Sequence, residues 1–273
     1  MADFLCFDVS GRYATFKTPE TTRSALTFPF PPRTAILGLI GAILGLPRNS
    51  YWEPTSPFRN SIIALEILQP GRRFGITVNF TQTKYPTKIG SIMVPIPSDP
   101  ETQRGMNTQQ RLDLLVEPRF RLYIDLHNDD LMDELEIALR EHLFTYPPYL
   151  GHANMLAEVD FISRFKYRPL DSGEHVVSSI VALSSDNHMK ISGDFVLVHG
   201  VPMSMKTPSV EAHGEYIHPF GSADLVDSVA YQIKDQERPV IVNTKKKGVV
   251  ACVESRPKAF VVPLPIASMD GPR

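Results

Sequence analysis

The apolar positions of this chain switch repeatedly between a period of two and a period near 3.6, and each switch predicts an element. FLCFDVSGRYATF alternates Phe4, Cys6 and others with polar residues and then meets Gly11, the pattern of a strand with a bulge or turn. TFPFPPRTAILGLIGAILGLP, residues 27–47, predicts a helix: Pro31 and Pro32 suit the entry to a first turn, and Gly45 followed by Pro47 closes the element. Gly38, Gly41, Ala42 and Gly45 recur at three- and four-residue spacings, so one side of this helix lacks bulk and can sit close to a sheet or another backbone. SIIALEILQP and RRFGITVNFTQTKY read as two strands joined by a tight turn at Gly71, and RFRLYIDL as another. DDLMDELEIALREHLF is an amphipathic helix whose acidic start suits its own dipole, and VDFISRFKYRPL is a strand.

The order is therefore β-α-β-β-α-β, the ferredoxin-like arrangement, with one interruption. From Lys84 to about Pro118 the chain is mostly polar and carries Pro and Gly, in KIGSIMVPIP and SDPETQRGMNTQQ. That is too long for an ordinary connection between strands and predicts a functional arm or disorder. After about residue 172, VVSSIVALSS, KISGDFVLVHG, YIHPFGSA and PVIVNTKKKGVVACVE read as short strands of a second lobe. The expected fold is α+β: a ferredoxin-like domain over 1–171 with a thumb-like insertion at about 84–118, then a smaller β-rich lobe over 172–273.

Charge sharpens this picture. The chain of 273 residues has a formal net charge of −2, which gives no overall reason to expect nucleic acid. Its distribution is uneven: residues 1–125 carry a net +4, residues 126–160 a net −7, and residues 161–273 a net +1. Such a chain can hold a polyanion on one face and repel it on another, and a solvated acidic helix face accounts for the middle segment equally well. From Arg72 to Arg111 six basic residues face two acidic ones, which favours an arm that meets an anion. The apolar run from Ala35 to Leu46 is too short to span a bilayer, which takes roughly 20 residues. MADFLCFDVSGRYATF offers acids and alternation in place of a signal peptide, so a cytoplasmic location is expected. Cys6 and Cys252 lie far apart with no CxxC spacing, so neither a zinc site nor a disulfide framework is indicated.

GRYATFKTPETTRSALTFPFPPRTAILGLIGAILGL near the N-terminus, together with YPPYLGHANMLAEV after the second helix, resembles the Cas-five family of CRISPR-associated proteins. The resemblance covers roughly residues 1–170 and is nearest to the type I-B group. It implies a fold related to the RNA-recognition motif, and a subunit of the Cascade effector complex that grips the repeat-derived 5′ handle of the crRNA. It further implies that the protein caps a backbone of paralogous subunits and docks the large subunit that reads the PAM, so that it meets target DNA only indirectly. The arm would be the family's thumb.

The expected RNA-binding residues fall into three groups. Arg33 and Thr34 sit where FPFPPRT becomes helix, so free N–H groups, the positive dipole end and a guanidinium converge there on a handle phosphate. Arg33 as a simple surface cap or ion-pair partner is the other reading. Lys17 and Arg23 lie in the polar loop just before, after Tyr13 and Phe16. Gln82, Lys84, Tyr85 and Lys88 stand where a strand leaves for the arm, with Arg104 and Asn107 further along it; the same arm suits a protein-docking hook. His152 follows Gly151 in the second signature, a glycine that points to a close approach to the backbone, while Tyr149 is expected to pack under the sheet. Lys245, Lys246 and Lys247 read as a hairpin tip.

Metal-free RNA cleavage, known in one branch of the family, needs a base for the 2′-hydroxyl and a cation for the phosphorane, typically Tyr, His and Lys held together. None of the eight histidines forms an adjacent Lys-His pair near the arm. No Gly-rich phosphate loop, HExxH motif or carboxylate dyad appears, and no metal or other cofactor is expected. The expectation is a non-catalytic clamp, with an endoribonuclease and a protein-only scaffold as the alternatives.

Overall fold

The alternation of the first segment becomes β1 (Asp3–Ser10), and both of its faces are buried: Leu5, Phe7 and Val9 on one side, Phe4, Cys6 and Asp8 on the other. The computed structural model that shows this describes residues 3–18, 24–47, 56–81, 87–89, 92–94, 107–169, 173–183, 190–193, 195–205, 223–232, 240–244, 250–252 and 260–261. After β1 come the short β2 (Tyr13–Ala14) and β3 (Ser24–Ala25), then α1 (Arg33–Ile43). Pro32 caps α1, and its C-terminus closes as the glycine predicted. Gly45 has φ +72°, its N–H donates to the Ala42 carbonyl, and the Leu46 N–H reaches the Gly41 carbonyl at 2.8 Å, a Schellman cap.

β4 (Ile62–Gln69) follows a 3-10 turn, and the chain then leaves the sheet at Gly71 for an excursion made of β5 (Arg72–Thr81), β6 (Thr87–Ile89), β7 (Ile92–Val94) and β8 (Asn107–Val116). It returns as β9 (Arg119–Asp125), and α2 (Asp129–Glu141) leads on to β10 (Glu158–Pro169). The Asn128 side chain caps α2 by accepting from the Leu131 N–H at 3.0 Å, and His142 ends the helix with φ +53°. Strand order in the main sheet runs β10-β1-β9-β4, every neighbour antiparallel, and each helix links two strands that are not adjacent. Both helices pack on one face of this sheet. Ile36, Leu37 and Ile40 of α1 join Met132, Leu135 and Leu139 of α2 over Leu5, Phe7, Ile63, Leu65, Leu122 and Ile124.

The arm differs from expectation at both ends. β5 does not belong to the main sheet: it pairs with β8 along its whole length, from Arg72 opposite Val116 to Thr81 opposite Asn107. The arm is therefore a two-stranded ribbon that starts at Arg72 rather than near Lys84, and NTQQRLDLLV is a strand, not part of a polar connection. At its root the ribbon is anchored on the other edge of β8 by β2, antiparallel, and by β3, parallel. Alternation gives it two unlike faces: Phe74, Ile76, Leu112 and Leu114 on one, Arg73, Thr77, Asn79 and Arg111 on the other.

The remaining strands are β11 (Gly173–Val177), β12 (Val181–Leu183), β13 (Lys190–Ser192), β14 (Phe195–Met205), β15 (Ala223–Gln232), β16 (Val240–Thr244), β17 (Val250–Cys252) and β18 (Phe260–Val261). They make two three-stranded sheets, β11-β16-β13 and β12-β15-β14, while β17 and β18 extend the main sheet beyond β10. The core runs across residue 171: Ile180, Ala182 and Val201 belong to the same apolar cluster as α1, and the Ile180 N–H donates to the Leu65 carbonyl of β4 at 2.8 Å.

Candidate nucleic-acid interface

Both sequence signatures meet at one cleft. The residues after α2 fold back over α1, and the N–H groups of Thr145 and Tyr146 donate to the last carbonyls of that helix, Ile43 and Ala42, each at 3.1 Å. The chain then crosses the segment after β2, where the Thr15 N–H donates to the Leu150 carbonyl at 3.1 Å. Gly151 makes that crossing possible. Its φ is +91°, and a Cβ at this position would collide with the Thr15 carbonyl oxygen. The close approach read from the sequence is thus an approach of the chain to itself.

The result is a pocket of about 230 Å³ between α1 and this loop, lined among others by Phe16, Thr34, Gly38, Ala42, Tyr149 and Gly151. Gly38 and Ala42 supply the low wall that the small-residue stripe predicted. Tyr149 does not pack under the sheet as expected: 44% of it is exposed, and it lines the pocket together with Thr34. Phe16 is core, 4% exposed, with its ring edge-on to Phe120. Lys17, the next residue, is exposed, and its backbone bridges to Thr27. His152 is exposed two positions past Leu150, with Nδ1 2.8 Å from Asn154 Oδ1, so Nδ1 donates in that contact. Of the expected residues Thr34 lines the pocket, while Lys17 and His152 are the sequence neighbours of its lining residues Phe16 and Gly151.

Arg33 does not fit the role expected for it. It is 2% exposed, and its Nη2 donates to the Ser61 carbonyl at 2.8 Å and to Ser61 Oγ at 2.9 Å. Ser61 Oγ in turn donates to the Phe58 carbonyl, so the guanidinium ties the entry of α1 to the turn before β4. Its Nε is buried without a hydrogen-bond partner, and burial pushes its pKa down to about 10. Arg33 is a strut inside the fold, not a guanidinium presented to solvent, and Thr34 alone of the pair reaches the cleft.

On the arm, Lys88 lies in β6 opposite Met93, and Asn107 begins β8 opposite Thr81. Arg23, Gln82, Lys84, Tyr85 and Arg104, and the Lys245–Lys247 tip, lie outside the described residues. Sequence reasoning did not single out Arg72, Arg73 and Arg111, all exposed on the ribbon, nor Phe74, 51% exposed on its apolar face. Arg111 is missed because NTQQRLDLLV reads as part of a polar connection, whereas Arg72, Arg73 and Phe74 lie in RRFGITVNFTQTKY, which reads as a strand of the main sheet.

A cluster of titratable groups sits at the far end of β9. Asp125, 4% exposed, accepts from the Tyr167 hydroxyl at 2.7 Å and from the His127 N–H at 2.7 Å, with His127 Nδ1 3.1 Å away. Burial, and then the bond to Asp125, push the Tyr167 pKa upward, which keeps its hydroxyl protonated. No group of His, Cys, Asp or Glu among the described residues is arranged to hold a metal, and no helix among them is long and apolar enough to cross a membrane.

The structure is similar to several solved ones. A CRISPR protein from Archaeoglobus fulgidus is 11% identical with a TM-score of 0.48, covering 96% of this chain and 99% of that one. A chain of a CRISPR RNA-guided surveillance complex is 13% identical with a TM-score of 0.47, covering 89% and 91%. A chain of a type III-B Cmr-beta complex bound to cognate target RNA is 9% identical with a TM-score of 0.42, covering 87% and 86%. A search of curated proteins finds no match. The family model for CRISPR-associated protein (Cas_Cas5) matches residues 4–164, more than half of the chain, and takes in both signatures and the cleft they form. The chain belongs to the CRISPR-associated Cas5 family.

Proposed function

We propose that this protein is a non-catalytic subunit of a type I CRISPR effector complex, of the I-B group, that grips the 5′ handle of the crRNA in the cytoplasm. The observation that carries this reading is the cleft itself. The exposed Tyr149 lines a pocket together with Gly38, Ala42 and Gly151, and the exposed Lys17 and His152 directly follow its lining residues Phe16 and Gly151 in the chain. A single-stranded base stacks on an aromatic ring while a cation meets its phosphate, and the volume suits one flat ring rather than a drug-sized ligand, which takes roughly 300–1,000 Å³. The ribbon, with Arg72, Arg73 and Arg111 exposed, supplies a basic arm to lie along the RNA backbone, as a thumb does. The strand order β10-β1-β9-β4 with two crossing helices supports the ferredoxin-like reading of the core. The backbone subunit and the large subunit are the proposed protein partners.

Absence of catalysis is part of the proposal and is tested together with binding. The test is binding and cleavage of a labelled repeat RNA by the purified protein in EDTA, across a salt series, beside Tyr149→Ala and Lys17→Ala. The expected result is salt-sensitive binding without cleavage, weakened roughly 5- to 100-fold by Tyr149→Ala, the worth of one stacked base. A discrete cut would make the protein an endoribonuclease, and no binding at any salt would make it a protein-only scaffold.

A further inference from the structure

The root of the ribbon carries a row of side chains that the pocket does not use. Val116 of β8 stands opposite Tyr13 of β2 on one side and opposite Arg72 of β5 on the other. Residues side by side in a sheet share a face, so Tyr13, Val116 and Arg72 project together. Phe74, two residues on in β5, takes the same face and is 51% exposed. Beside the row, the exposed Arg12 places its guanidinium over the Tyr13 ring, 5.6 Å from the centroid.

Charge and position single this row out. Arg12 and Arg72 have no ion-pair partner among the described residues, whereas Arg111 stands 3.7 Å from Asp113 and Arg119 holds Asp8. Glu117, the exposed acid that follows Val116, donates its N–H to the Arg12 carbonyl at 3.0 Å, but its carboxylate pairs with neither arginine. Gly11 joins the row to the cleft. A Cβ there would stand 2.9 Å from the Leu156 carbonyl oxygen and 3.0 Å from Leu150 Cδ1, and Leu156 bridges to Tyr149. The loop that carries Tyr149 therefore rests on the residue before Arg12.

We infer that the cleft continues onto the ribbon root as a second nucleotide subsite, in which Arg12 and Arg72 share one phosphate of single-stranded RNA and a base stacks on Phe74. Tyr13 is a positioning residue here: its ring holds the Arg12 guanidinium beside the row. Tyr13 and Arg72 are two strand spacings apart, roughly 10 Å, with only the short Val116 between them, so two long cationic side chains close on one group from opposite sides. A nucleotide uses everything the row offers, a negative group for the cations and a flat ring for the exposed phenyl. An acidic protein surface uses the cations alone, and the test separates it. The inference rests on the RNA reading and adds to it residues that the pocket does not contain.

The test measures binding of labelled repeat RNA to the full-length protein across a salt series, with urea midpoints as the check on folding. The double variant Arg12→Gln/Arg72→Gln should flatten the slope of log affinity against log salt by about 0.7, the worth of one phosphate. Phe74→Leu keeps apolar bulk but loses the ring; it should weaken binding roughly 5- to 100-fold at every salt concentration, while Phe74→Tyr binds as the wild type does. Tyr13→Leu should weaken binding in the wild-type background and add nothing in the Arg12→Gln background. If the wild type binds RNA but the arginine pair leaves the slope unchanged, or Phe74→Leu and Phe74→Tyr behave alike, the subsite is overturned and the clamp reading stands. A slope that flattens without any effect of Phe74→Leu also overturns it, because the cations then act without a stacked base. No RNA binding by the wild type overturns both readings.

Discussion

At the residue scale the site rests on positions that allow no substitution for reasons the sequence only half shows. Gly151 is one: its φ of +91° strains any L side chain, and an added methyl would meet the Thr15 carbonyl, a backbone atom that cannot swing away. Gly151→Ala is expected to cost about 3 kcal/mol or more of stability, read by urea denaturation, and to lower RNA affinity because Tyr149 and His152 ride on the same loop. Arg33 makes the opposite case. A pKa lowered from 12.5 to about 10 means that the fold disfavours the charged form by about 3 kcal/mol at neutral pH. Removing the guanidinium relieves that cost but leaves the Ser61 carbonyl and hydroxyl without their donor, a loss of about 1–3 kcal/mol. The two nearly cancel, so Arg33→Met should change stability at pH 7 by less than about 1 kcal/mol. The unfolded arginine keeps its proton up to its ordinary pKa, while the folded one releases it near 10. Between those values the penalty is relieved as pH rises, so the wild-type protein should gain stability relative to Arg33→Met. Urea titrations of both proteins at pH 7 and pH 11 give the sign.

At the element scale, what could be read in advance depended on whether an element buries one face. α1 and α2 announced themselves by period and ends, because proline, glycine and acidic first-turn residues act locally whatever the helix later packs against. The strands of the main sheet were legible for the same reason. β8 was not. Its outer half, NTQQR, stands in a ribbon with solvent on both sides, so no buried face imposed an apolar alternation, and only LDLLV near the root carries one. Tyr149 was misplaced because no pattern in a loop tells which side of a tyrosine faces the core. The pairing of Gly75 with Asp113 supplies a clean test of the arm as a separable element. Replacing residues 76–112 by Asn-Gly, the preferred two-residue hairpin turn, keeps Leu114 and Leu115 in the core and keeps the pairing with β2, and gives up only the two-residue pairing of β3 with Arg111 and Leu112. Cooperative unfolding should survive, and affinity for repeat RNA should fall more than tenfold. Unchanged affinity would confine the RNA to the cleft.

At the scale of the whole molecule, the net charge of −2 hides a division of labour that the fold makes spatial. Among the described residues, Arg72, Arg73 and Arg111 are exposed on the ribbon, whereas Glu134 and Glu141 are exposed on α2 and Glu158 and Asp160 on β10. Such a separation orients a polyanion as well as attracting it, because the acidic side is repulsive at the distances where the basic side begins to pull. It also sets the salt dependence. For single-stranded RNA each neutralised phosphate contributes about 0.7 to the slope of log affinity against log salt. If Lys17, Arg72, Arg73 and Arg111 each hold one phosphate, affinity should drop roughly 50-fold between 50 and 200 mM salt. The arm-truncated protein loses Lys84, Lys88, Arg104 and Arg111, so its slope should flatten by at least about 0.7 while the stacking contribution of Tyr149, which involves no counterion, persists at every salt concentration. A wild-type slope near zero would mean that the protein reaches RNA only through its neighbours, and that the basic ribbon serves an acidic protein surface instead.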